Sequence, residues 1–113
     1  MRILTLCYEY PPIGGGGGVV CRGAAHGLVR AGHTVDVVTS RASGLPAHEI
    51  DAGVGVHRVP CVRPHPHFTT APQMATALPG LHARARALHR ANPYDVCHCH
   101  FVIPSGIAAY ALL

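Results

Sequence analysis

The 113-residue sequence has no lysine and no tryptophan, and aromatic residues make up only 5% of it. Without lysine there is no Walker loop, whose lysine reaches the β- and γ-phosphates of a nucleotide. The shortage of aromatics leaves no stacking platform for single-stranded nucleic acid. Charged residues are also scarce, at 12%, against 49% hydrophobic, a balance too apolar for a disordered chain. No apolar run approaches the ~20 residues that cross a bilayer. The opening run, Met1 to Cys7, is too short for a secretory leader and passes into Glu9 and a pair of prolines.

What charge there is comes mainly from arginine. All nine basic residues are arginines, and the net charge is +4 with histidine neutral. They are dispersed along the chain except for Arg84, Arg86 and Arg90, which read as the solvated face of a helix. Such a charge suits a small anionic ligand without requiring one, and nucleic acid is not expected as a partner. The five cysteines (Cys7, Cys21, Cys61, Cys97 and Cys99) are odd in number and mostly set in apolar runs. That favours reduced, buried thiols in a cytoplasmic protein over a disulfide framework. The length corresponds to one small domain.

Along the chain, residues 2–7 form an apolar run of strand length. Tyr8 to Ile13 and the five glycines Gly14 to Gly18 follow as a loop, extended at first and mobile in its second half, because prolines and glycines oppose both strand and helix. A helix is expected from Val19, with Val20, Ala24, Leu28 and Ala31 on one face and Gly32 just past its end. Val35 to Thr39 and Val54 to Val59 read as the second and third strands. Pro60 to Pro72 is an irregular connection in which His65 and His67 face solvent. A helical turn at Pro72 to Leu78 is separated by Pro79-Gly80 from a helix over Leu81 to Ala91. Asp95 to Phe101 is the fourth strand, and a last helix opens after Pro104-Ser105-Gly106. Strand, loop, helix and strand in succession make right-handed crossover units. The fold class is therefore α/β, a Rossmann-like parallel sheet flanked by helices, in the order 3-2-1-4.

The glycine run is the sharpest feature. Amide hydrogens at a helix start lack intrahelical acceptors and carry partial positive charge from the aligned peptide dipoles. Glycine admits a ligand close to that backbone, and a phosphate or diphosphate is its natural guest. The competing reading is a flexible connector that binds nothing, but the position between strand and helix is where open α/β sheets hold ligands. Cys97-His98-Cys99-His100 superficially suggests a metal site. Alternate residues of a strand face opposite ways, so the four side chains do not converge for a tetrahedral ion, and no metal is expected. His100, at the strand's carboxyl end, either contacts a ligand or hydrogen-bonds to backbone; Glu9 either contacts an acceptor or caps the loop.

Three blocks resemble one family. Glu9-Tyr10-Pro11-Pro12-Ile13 with Gly14 to Gly18 resembles the N-terminal loop of retaining, family 4-like glycosyltransferases of the GT-B fold. Leu28 to Ser40, with Gly32-His33 at its centre, resembles that family's helix, Gly-His and strand. Tyr94 to Phe101, followed by Pro104-Ser105-Gly106, resembles its Asp-containing strand ending in His-x-His. The resemblance implies two Rossmann-like domains facing each other across a cleft. Residues 1–113 correspond to the N-terminal, acceptor-side domain, incomplete at its end, with the donor-binding domain and its glutamate pair absent. It implies that Gly14, Gly15, Gly16, Gly17 and Gly18, with Glu9, line the cleft near the donor diphosphate and acceptor, and that His100 reaches toward the transferring sugar. The implied function is sugar transfer from a nucleotide-sugar donor to the hydroxyl of a sugar or lipid-linked acceptor. No cofactor beyond that substrate is implied, and peripheral contact with the inner face of a membrane is compatible with it.

Two rival readings stand beside this one. An NAD-dependent oxidoreductase needs a tight Gly-x-Gly-x-x-Gly turn directly after the first strand and an acidic residue after the second. Tyr8 to Ile13 intervene here, the second strand ends Val38-Thr39-Ser40, and Asp36 lies too early. A non-catalytic fragment is the other rival: Gly106 to Leu113 reads as a helix opening without a terminating glycine, so a cut chain is expected.

Overall fold

Near-continuous runs of Val, Ile and Leu suit strands covered on both faces. The structure, a computed structural model describing residues 1–42, 44–62, 70–100 and 105–110, is built around such a sheet. In chain order the elements are β1 (Arg2–Cys7), α1 (Gly16–Arg30), β2 (Thr34–Ser40), β3 (His48–Asp51), β4 (Val54–Val59), α2 (Ala71–Ala75), α3 (Leu78–Ala91), β5 (Val96–His100) and α4 (Ile107–Tyr110). The sheet runs β3-β4-β2-β1-β5. β1, β2, β4 and β5 pair in parallel, and β3 pairs antiparallel with β4. The four expected strands keep their expected relative order, and the α/β Rossmann-like class holds.

The order 3-2-1-4 needs one correction, because β3 adds an edge strand. Its cause is local: Ala52 and Gly53 both have positive φ, 49° and 89°, the backbone of a two-residue type I′ hairpin turn. His48-Glu49-Ile50-Asp51 carries a single apolar residue, so periodicity gave no sign of a strand there.

α1 covers one face of the sheet, burying Cys21 and Ala25 against Ile3, Val35, Val37 and Val56. α3 and α4 cover the other, with Leu81, Ala85 and Ala108 against Leu4, Leu6 and Val38. α1 starts at Gly16 rather than Val19, and its inward residues are Gly18, Cys21 and Ala25; Val20, expected inside, is 63% exposed. Close packing explains the shift. A Cβ on Gly18 would lie 3.2 Å from the Ile13 carbonyl oxygen, so a glycine lets the first turn press onto the preceding loop. That contact outweighs the ~1 kcal/mol helix penalty of glycine. The helix ends as expected at Gly32 (φ 96°). Gly32 N–H donates to Val29 C=O and His33 N–H to Leu28 C=O, the paired bonds of a Schellman close. Pro79-Gly80 lies inside the first turn of α3 instead of before it, where proline's missing N–H is no loss. Arg84, Arg86 and Arg90 are exposed along α3, as expected. His65 and His67 lie outside the described residues.

Asp36 has a structural role. Its carboxylate accepts from the Tyr94 hydroxyl at 2.5 Å and from His57 Nε2 at 3.3 Å, in the tautomer protonated there. Gly55 makes this possible, since a Cβ on it would overlap the Asp36 carboxylate. His57, with help from Tyr94, holds the Asp36 carboxyl below its usual range against the opposing effect of burial. A carboxyl depressed in the folded state stabilises the fold above its unfolded pKa, and that stability is lost as pH falls through the folded pKa. Asp36→Asn is expected to cost about 1–3 kcal/mol at neutral pH and to flatten the loss of stability on acidification. Urea unfolding at a series of pH values measures both, and an unchanged acid slope would remove Asp36 from the account.

Candidate active site at the carboxyl edge of the sheet

The parallel strands end together at Cys7, Ser40, Val59 and His100, the edge at which open α/β sheets hold ligands. From Cys7 the chain enters a turn that is anchored along its length. Ser40 Oγ donates to Tyr8 C=O at 2.6 Å and Cys7 Sγ to Glu9 C=O at 2.7 Å. The Tyr10 hydroxyl donates to Asp51 at 2.6 Å, and Arg58 Nη2 reaches Pro11 C=O at 3.4 Å. Tyr8, Tyr10 and Ile13 are buried. The segment expected only to be extended is thus held by side chains from β1, β2, β3 and β4. Ser40, the last residue of β2, anchors the loop at the place where a dinucleotide-binding unit would carry its ribose-binding acid.

The five glycines divide between turn and helix. Gly14 has φ 81°, a conformation that glycine adopts without strain. Gly15 caps α1 without a side-chain hydrogen bond, and Gly16 to Gly18 form its first turn, which carries no acidic residue. No neighbour lies within 4 Å of where a Cβ on Gly15 or Gly16 would stand. The helix start is therefore open on the side of these two Cβ positions. Glu9 sits beside it: its carboxylate accepts from Gly15 N–H at 3.3 Å and lies where a Cβ on Gly14 would fall. The resting chain thus has Glu9 in contact with the loop it was expected either to cap or to extend toward an acceptor.

His100 ends β5 in register beside Cys7, so it and the glycine turn leave neighbouring strands on one edge. Its Nε2 is buried and has no hydrogen-bond partner among the described residues. Its ring centroid lies 4.4 Å from that of His98. Burial, and secondarily the charge of His98, push its pKa below the ordinary histidine value, which favours the neutral ring at neutral pH. Cys97 and Cys99 pair with Leu4 and Leu6 and share their face of the sheet, opposite the two histidines, so the four side chains do not converge. Cys97 is exposed rather than buried, because β5 is an edge strand. Ser105, leading into α4, is buried with no partner for Oγ among the described residues. Phe101 and Pro104 lie outside the described residues.

Two side chains central to this edge were not singled out in the sequence. Arg58 is fully buried at its side chain and pairs with Glu49 at 2.7 Å, while also donating to Pro46 C=O. Asp51 accepts from Tyr10, from Arg22 at 3.0 Å and from His26 at 3.1 Å. Burial alone would raise the Asp51 carboxyl pKa, but these donors outweigh it and the net direction is down. The available signal for Arg58 was a charged residue inside a valine-rich strand.

An open, mostly parallel sheet with a glycine turn feeding a helix at its carboxyl edge defines a Rossmann-like domain. The profile described as "Glycosyl transferase 4-like domain" matches residues 15–113, and the chain belongs to that family. It is 43% identical over 102 residues to an uncharacterized glycosyltransferase of Methanocaldococcus jannaschii, covering 88% of this chain and 25% of the relative's length. The fold is similar to that of sucrose-phosphate synthase from Thermosynechococcus elongatus, with a TM-score of 0.76 at 19% identity over 99% of this chain and 30% of the synthase. A second structure of that synthase matches with a TM-score of 0.71 at 18% identity, over 99% of this chain and 56% of the other. The chain therefore spans about a quarter of the curated relative, 25% of its length.

Gly14→Ala is expected to destabilise the fold by about 1–3 kcal/mol, through a non-glycine residue at positive φ and overlap with Glu9. Pairing it with Glu9→Ala should restore only part of that loss, since the backbone strain remains. Thermal denaturation of the two single variants and the double variant measures this, and full restoration would show that φ at Gly14 carries no strain.

Proposed function

We propose that residues 1–113 form the acceptor-side Rossmann-like domain of a retaining glycosyltransferase, which moves a hexosyl group from a nucleotide-sugar donor to an acceptor hydroxyl. A second, donor-binding domain completes the cleft. The observation that supports this reading is the glycine turn at the start of α1, open at the Cβ positions of Gly15 and Gly16, on the same sheet edge as His100.

In the transfer, the bond between the anomeric carbon and the diphosphate oxygen breaks. A bond to the acceptor oxygen forms, and the acceptor hydroxyl passes its proton to the departing diphosphate oxygen. Negative charge grows on the departing diphosphate. Peptide N–H groups at the start of α1 stabilise that charge without reorganising, because the fold has already fixed them. Glu9 occupies the Gly15 amide in the resting chain and keeps the turn in shape. His100, neutral, would hydrogen-bond a hydroxyl of the transferring sugar or a phosphate oxygen through Nε2, which the resting chain buries without a partner among the described residues. Catalysis on this reading is positioning and electrostatics.

The acceptor is a sugar or a lipid-linked sugar, and the protein works in the cytoplasm, at the inner membrane face where the acceptor is lipid-linked. No helix among the described residues is long and apolar enough to cross a membrane.

Gly16→Ala separates function from stability. The added methyl meets no neighbour within 4 Å, and alanine in a helix is favoured over glycine by about 0.5–1 kcal/mol, so the melting temperature should rise. The same methyl stands where the diphosphate approaches, so transfer in the intact enzyme should fall by about tenfold, ~1.4 kcal/mol. Unchanged turnover in a stabilised variant would remove the turn from the mechanism.

A further inference from the structure

Away from His100, on the β3 side of the sheet, a cleft of about 300 Å³ is lined by Pro11, Pro12, Arg22, Glu49, Ile50 and Asp51. That is at the small end of ligand pockets, the size of a single ring. Glu49 and Asp51 lie two residues apart on β3, so both carboxylates share one face of the strand. Their pairing with Val56 and Val54 identifies it as the face covered by α1.

The charges in the lining cancel. Arg58 binds Glu49 through Oε1, and Arg22 binds Asp51. A cation finds both carboxylates already neutralised, and an anion meets two carboxylates at the wall. Hydrogen-bonding capacity nevertheless remains. Glu49 uses only Oε1 among the described residues, and Arg22 only Nε and Nη2. Both side chains are partly exposed, at 42% and 45%. Two-sided hydrogen bonding with no net charge is the complement of a hydroxyl group, which donates to the carboxylate and accepts from the guanidinium. The Pro11-Pro12 segment supplies an apolar wall for C–H groups.

We propose that this cleft binds a neutral, hydroxyl-rich ring, a sugar or a cyclitol, through Glu49, Asp51 and Arg22. Four inter-strand steps separate β3 from β5, about 19 Å at ~4.8 Å each, so a ring seated here is not the sugar undergoing transfer beside His100. The cleft shares Pro11 and Pro12 with the turn that leads into Gly14, so the proposal rests on the same edge as the transferase reading, and the two are told apart by the ligand each predicts.

The test is an NMR titration of the intact protein with glucose and myo-inositol, and separately with glucose 6-phosphate, glucosamine and UDP. A neutral ring is expected to shift the amides of Glu49 to Asp51 and of Arg22, with weaker effects from the phosphorylated and amino sugars. Arg22→Gln should weaken that binding by about tenfold while leaving UDP-induced shifts at Gly15 to Gly18 unchanged, and Glu49→Gln should weaken it as well. Arg22 is exposed enough for its variant to fold even where Glu49→Gln, which leaves the buried Arg58 guanidinium without a charged partner, does not. Tighter binding of the phosphate or the amine, or no shift from any neutral ring, overturns the proposal. A missing UDP response would count against the transferase reading alone.

Discussion

A peptide segment without side chains keeps one shape only when its flanks are fixed, and the rest of this edge depends on that fixing. Glycine loses more conformational freedom on ordering than any other residue, at a backbone cost of roughly 1–2 kcal/mol per residue. Here the loss is offset on both sides. Upstream, buried Tyr8, Tyr10 and Ile13 and the bonds from Ser40, Cys7 and Arg58 hold the chain to the ends of β1, β2 and β4. Downstream, Cys21 and Ala25 seat α1 on the sheet. Gly18 is the point where the two halves touch. The first helical turn is thus held by a rigid frame, though its glycines contribute no side-chain contact.

The polar groups that build this frame act on geometry more than on net stability. A buried guanidinium such as Arg58 loses several kcal/mol of hydration, which its ion pair with Glu49 offsets only in part. Its Nε has no partner among the described residues. What the arrangement achieves is convergence: one side chain from β4 holds the β1–α1 turn at Pro11, the β2–β3 loop at Pro46 and the edge strand at Glu49. Asp51 does the same for Tyr10, Arg22 and His26. An apolar residue in either position would bury as well, yet it would leave the turn free to slide along the sheet edge.

What the sequence made legible follows from where the signals are local. Val54 to Val59 appears as a strand with the expected bounds because its three β-branched valines mark it locally. Gly32 closes α1 because a positive φ after a helix selects glycine. The placement of Gly14 and His100 on one edge was legible through topology, since parallel strands bring their carboxyl ends together. The start of α1 was not. Intrinsic propensity argues against a helix through Gly16 to Gly18, and the contact that overrides it, with the Ile13 carbonyl, is tertiary. β3 was hidden because its fit to the sheet comes from backbone pairing and a two-residue turn rather than from apolar side chains. The Asp51 and Arg58 clusters join residues up to 47 positions apart, and nothing local marks such partners.

The same reasoning explains why the fold and the chemistry make different demands on the sequence. The sheet needs only apolar residues of suitable shape on both faces of four parallel strands, a requirement that many sequences meet; the fold is shared with sucrose-phosphate synthase at 19% identity. On the proposed reading, the glycine turn offers peptide N–H groups to a ligand, which calls for the absence of side chains at Gly15 and Gly16. A bare turn specifies little by itself. Its direction comes from residues outside it, Ser40, Asp51 and Arg58, each on a different strand. The shape of the glycine turn is thus encoded across β2, β3 and β4, at positions outside the turn itself.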